Sequence, residues 1–147
     1  MDQTNKTPGL IVCATRGGEG SEPTIHKAIE LARERGCRLT FLYIADVDFM
    51  KYTTMGRTNL AAEEVCKMGE FIMLTFVERA SEEGIEADCA VRKAHFREGL
   101  LSYLEETRPA TLVLGSSKPG TAYLNASKLD KLKHEIEEQT DVSVELV

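Results

Sequence analysis

Apolar positions along the chain alternate between short continuous runs and stripes of helical period. Gly9-Leu-Ile-Val-Cys-Ala14 is one such run, and it predicts a strand buried on both faces. The loop Thr15–Gly20 behind it holds three glycines. A helix is expected next, with Ser21 as N-cap and Pro23 in the first turn. Ile25, Ala28, Ile29 and Ala32 fall on its inner stripe and Gly36 ends it. Arg38–Ala45 reads as a second buried strand, and Asp46–Thr58 as an irregular connection. Val65, Met68, Ile72 and Phe76 then mark the inner stripe of a long helix over Asn59–Glu83, stopped by Gly84.

Ile85–Val91 is the third predicted strand. Phe96, Leu100, Tyr103 and Leu104 mark a helix that Pro109 terminates. Thr111–Leu114 is a fourth strand with the exit loop Gly115–Thr121. Leu129, Leu132 and Ile136 line a last helix, and Val142–Val147 is a fifth strand. Strict strand–helix alternation without linkers or repeats predicts one α/β domain over residues 1–147. Its form is a three-layer sandwich around a five-stranded parallel sheet, with right-handed crossovers. In strand order 3-2-1-4-5 the order reverses between the first and fourth strands, and ligands of such sheets bind at that switch point. The two exit loops there, Thr15–Gly20 and Gly115–Thr121, are the most glycine-rich connections in the chain.

Several stretches together resemble the universal stress protein family over essentially the whole length. They are LIVCAT (Leu10–Thr15), GSEPTIHKAIELARERGCRLTFLYI (Gly20–Ile44), VRKAHFREGLLSYLEETRPATLVLGSSKPG (Val91–Gly120) and VSVELV (Val142–Val147). The resemblance implies an adenine-nucleotide-hydrolase-like sheet and a stress-response role. Nucleotide-binding members carry, after the fourth strand, Gly, two residues, Gly, nine residues, then Gly followed by Ser or Thr. Here Gly115 keeps the first position, and Lys118 stands at the second with Gly120 two residues on. Only Asn125-Ala126-Ser127 is found at the third. The acid those members place at the end of the first strand falls on Thr15, and their Gly-Asp-Pro after the third strand on Ala94-His95-Phe96.

The residues expected to line any nucleotide site are Thr15, Arg16, Ile44, Leu114, Gly115, Ser116, Ser117, Gly120, Thr121 and Ser127. Glycines let backbone N–H groups approach an anion closely, and the start of the following helix adds unpaired N–H groups. The plainer alternative is a tight turn between strand and helix, with Ser127 a helix cap. Arg16, Arg92, Lys93, His95, Arg97 and Lys118 fall at predicted strand ends, with Lys128 and Lys131 early in the last helix. An anionic ligand would explain them; so would solvated loop charge neutralised by Glu19, Glu22 and Glu98.

Charge and cysteine content narrow the functions further. The net charge of −6 argues against nucleic acid and anionic membranes as partners. Met1–Thr7 lacks a signal-peptide layout and no apolar run reaches the length of a membrane span, so a cytoplasmic location is expected. Cys13, Cys37, Cys66 and Cys89 share no metal-type spacing. Asp46 and Asp48 alone do not make a metal site, His26 and His134 have no ligand-like partners, and the methionines read as core filler. No catalytic constellation is recognisable, and the chain is not expected to be an enzyme. Two readings stand. The first is a dimeric regulatory or scaffold protein with a degenerate nucleotide loop; the second is a protein binding ATP or AMP through Gly115–Thr121. The fifth strand, with Val142, Val144 and Leu146 alternating against Ser143 and Glu145, offers an edge for a homodimer, unless Glu145 guards it.

Overall fold

The computed structural model describes residues 7–15, 22–46, 58–115 and 126–147. Five strands, β1 (Thr7–Ala14), β2 (Arg38–Asp46), β3 (Ala87–Ala94), β4 (Pro109–Leu114) and β5 (Ser143–Leu146), are all parallel. Their order in the sheet is β3-β2-β1-β4-β5, the order expected for this chain. Between them run α1 (Glu22–Arg35), α2 (Thr58–Glu82), α3 (Phe96–Thr107) and α4 (Ala126–Thr140). No helix among the described residues is long and apolar enough to cross a membrane.

The two-residue period of the strands sorts the core into two layers. Leu10, Val12, Leu42, Ile44, Leu112 and Leu114 face α3 and α4, where Leu100, Leu104 and Ile136 cover them. Ile11, Cys13, Leu39, Phe41 and Val113 face the opposite way, under α1 and α2. There the rings of Phe41 and Phe76 lie 5.7 Å apart, within the range of a favourable tilted pair. The β1 run is apolar throughout because both of its faces are covered.

Several element boundaries differ from the sequence pattern, β1 opening two residues earlier at Thr7 among them. The third strand runs from Ala87 to Ala94, two residues later at its start and three at its end. It is an edge strand, half-exposed, so Asp88, Arg92 and Lys93 are tolerated within it. At the fourth, Arg108 adopts a left-handed conformation (φ 45°), its N–H bonding Leu104 O at 2.8 Å, which frees Pro109 to open β4. Val142 lies just before β5, in the core at 0% exposure. The inner face of α2 also differs: Met68, expected inside, is 64% exposed, whereas Met73, Phe76 and Ala80 are buried. Gly69 is buried on that same face, and its missing side chain gave the stripe no apolar signal.

Candidate functional site

The switch point lies between the carboxyl ends of β1 and β4. Ala14 pairs with Leu114, which sets Thr15 and Gly115 side by side just beyond the sheet. Thr15 extends the ladder by one bond, its N–H donating to Leu42 O at 3.1 Å. On the other side Val147 N–H donates to Leu114 O at 3.0 Å. The backbone at the floor of this edge is therefore tied down on both flanks.

Gly115 is held there by packing. A Cβ at this position would fall 2.3 Å from Thr24 Oγ1 and 3.3 Å from Thr24 Cβ. Thr24, in the first turn of α1, is 2% exposed, so neither side can yield cheaply. Sequence reasoning missed Thr24; no local pattern links positions so far apart in the chain. Leu114 and Ile44, both expected at the site, are core residues at 2% and 7% exposure. Ile44 lies against the start of α3: its Cγ2 would be 3.4 Å from a Cβ on Gly99, and Ala94 Cβ would be 2.9 Å away. Of the remaining predicted residues, Arg16, Ser116, Ser117, Gly120 and Thr121 lie outside the described residues, as does Lys118. Ser127 stands in the first turn of α4.

Arg92 of β3 and Arg97 of α3 pair with acids not named from sequence, and the Glu98 charge also acts on Arg97. Arg97 forms a two-pronged pair with Glu135 of α4, with Nε to Oε1 at 2.7 Å. The hydrogen bonds and charge of this pair raise the Arg97 pKa and hold Glu135 below the usual carboxylate range. Arg92 sits 3.8 Å from Glu106, with its guanidinium 5.1 Å above the Tyr103 ring, inside cation–π range. Glu22 is turned to Arg79 of α2 at 2.7 Å. His95 occupies the N-cap position of α3 without a side-chain cap bond. A groove of about 190 Å³ runs past Arg92, Lys93, Gly99, Ser102 and Tyr103.

Beside that groove is a polar pair that sequence reasoning also missed. Thr40 Oγ1 donates to Asp88 Oδ1 at 2.6 Å across the β2–β3 pairing. Burial, reinforced by the Asp88 charge, pushes the Tyr103 hydroxyl up. Burial likewise pushes the Cys13 thiol up, far from reactive range. Among the described residues no group of three or more His, Cys, Asp or Glu side chains could hold a metal ion.

The comparison that decides the family is a match of residues 9–134 to the model of the universal stress protein family. The chain belongs to that family. No curated protein sequence matches it. Among solved structures, universal stress protein UspA from Lactobacillus plantarum is similar at TM-score 0.76 and 12% identity, covering 97% of this chain and 99% of that one. A universal stress protein family member from Burkholderia pseudomallei aligns at TM-score 0.72 and 15% identity, over 95% of both chains. A universal stress protein in complex with cAMP aligns at TM-score 0.64 and 16% identity, over 94% of this chain and 95% of that one. At these identities the likeness shows the universal stress protein fold.

Proposed function

We propose that this chain is a stress-response regulatory or scaffold protein of the universal stress protein family, acting as a homodimer in the cytoplasm without depending on a nucleotide. The observation that carries the reading is the contact of Gly115 with Thr24. The one glycine kept from the family's nucleotide pattern is accounted for by the docking of α1. Two departures support it: Lys118 stands at the second glycine position, and Thr15 where nucleotide-binding relatives carry an acid.

The dimer is proposed to use the free edge of β5, where Leu146 is 38% exposed and Val144 lies inside at 4%. Pairing there would rest on main-chain groups, of which Val144 N–H already donates to the Glu137 carboxylate at 3.2 Å. A second reading, ATP or AMP bound by Gly115–Thr121 with Thr15, Arg16 and Ser127, draws support from the fold neighbour solved with cAMP.

One experiment separates the two. The purified protein is denatured, its supernatant assayed for nucleotide, and the native protein titrated with ATP and AMP. Neither co-purified nucleotide nor micromolar binding is expected. A micromolar dissociation constant for either ligand overturns the first reading in favour of the second.

A further inference from the structure

The other edge of the sheet carries a pattern that the family reading does not use. β3 ends the sheet over eight residues, twice the length of β5. Leu39 N–H donates to Glu86 O at 3.0 Å, which fixes the parity of the parallel ladder. Asp88, Ala90 and Arg92 turn their main-chain groups toward β2; Ala87, Cys89, Val91 and Lys93 turn theirs to the free edge. The charges along this strand are segregated: Glu86 and Asp88 at the start, Arg92 and Lys93 at the end, and Cys89-Ala90-Val91 between. Reversed about Ala90, such a sequence sets Asp88 opposite Arg92.

We infer that β3 pairs antiparallel with β3 of a second copy of this chain, about a two-fold axis at Ala90, with Asp88 opposite the copy's Arg92. In that register Cys89 and the copy's Val91 exchange main-chain hydrogen bonds, as do Ala87 and the copy's Lys93. Asp88 and the copy's Arg92 then occupy a non-hydrogen-bonded pair, where Cα atoms approach to about 4.5 Å. Opposite charges facing each other at such a position stabilise the pairing. The two-fold makes the contact twice, as an isologous interface requires.

Two features of the isolated chain fit this arrangement. Arg92 Nη1 donates to Val91 O, an outward carbonyl, at 3.3 Å, and its link to Glu106 spans 3.8 Å. Both are long contacts of an exposed side chain, readily exchanged for the copy's Cys89 N–H on the carbonyl and the copy's Asp88 on the guanidinium. Over the same edge, α2 leaves apolar surface in water. Glu70 lies close enough to Cys89 for its charge to bear on the thiol. Leu74, one turn further along that side, is 50% exposed, and Phe71 is 70% exposed. Joining two sheets at β3 brings the two α2 helices toward each other on one face, where these side chains are covered.

Mixing two charge variants tests the inference. D88R and R92D each set like charges opposite one another and are expected to lower the wild-type mass measured by sedimentation at about 100 μM. An equimolar mixture of the two restores both opposite-charge pairs and is expected to recover the wild-type mass as a mixed assembly. Circular dichroism checks each variant's fold. A90C in the wild-type background supplies a second measurement, because mild oxidation is expected to link two copies through the paired residue 90. Overturning results are a monomeric wild-type protein, single variants of unchanged mass, or no recovery on mixing. A nucleotide titration is blind to this edge. Pairing through β5 would add a second association step that D88R leaves in place, so the two readings fail separately.

Discussion

The ring of Tyr43 lies where Gly69 would carry its side chain. A Cβ on Gly69 would fall 2.3 Å from Tyr43 Cδ2 and 2.5 Å from Cε2. In an ordinary helix interior, replacing glycine by alanine stabilises by about 1 kcal/mol. Here the clash outweighs that gain, and Gly69→Ala is expected to destabilise by roughly 1–3 kcal/mol. In a Tyr43→Ala background the same change should reverse sign and stabilise. Urea unfolding of the four proteins measures both, and a stabilising Gly69→Ala in the wild-type background would remove the close contact.

Gly115→Ala is expected to cost roughly 1–3 kcal/mol through overpacking on Thr24. Thr24→Ala removes the nearest atom, so the double variant should lose less than the sum of the singles. Additive effects in a double-mutant cycle would show that the two positions do not touch.

Glu135 is held below the usual carboxylate range by Arg97. A lowered folded-state pKa contributes stability above the unfolded value of about 4.3, and loses it as pH falls through the folded value. Glu135→Gln should therefore melt at a lower temperature than wild type at pH 6–7. The gap should close on acidification below pH 4. A gap that stays constant from pH 7 to pH 3 would assign the loss to something other than this pair.

Thiol labelling should divide the cysteines by burial. Cys13 is 0% exposed and should stay unmodified at pH 8 until the protein unfolds. Burial, with the charges of Glu70 and Asp88, also raises the pKa of Cys89, so its labelling should be slow and should accelerate in Asp88→Asn. Rapid modification of Cys13 in the native state would contradict its place in the core.

Deleting Val144–Val147 tests the C-terminal edge proposed for the homodimer. The expected result is a loss of solution mass by sedimentation. An unchanged dimer would sink pairing through β5.

The strand–helix alternation was legible because the strands of this sheet are parallel and joined by crossover helices. Continuous apolar runs such as Leu10–Ala14 therefore mark strands directly. The pattern failed where burial is partial or carried by small residues. On α2, Ile72 and Phe76 lie inside as the stripe predicts, but the inner face also holds Gly69 and Ala80 while Met68 is exposed, so a search for large apolar residues takes Met68 for an inner position. On β3, Arg92 and Lys93 look like loop residues because an edge strand keeps charge in water. At the candidate site, Gly115 was legible as a glycine in a loop. Its partner Thr24 was not, because that contact joins the first helix to the fourth strand.

The central place of β1 bears on the order in which this chain is made. Cys13 pairs with Phe41 on one side and with Val113 on the other. During vectorial synthesis β1, β2 and β3 emerge before β4, so a nascent chain holds three of the five strands with β1 at an open edge. That edge is apolar on both faces, with no charged side chain from Leu10 to Ala14. Until Thr111–Leu114 leaves the ribosome, it is the segment most exposed to wrong partners and to chaperones.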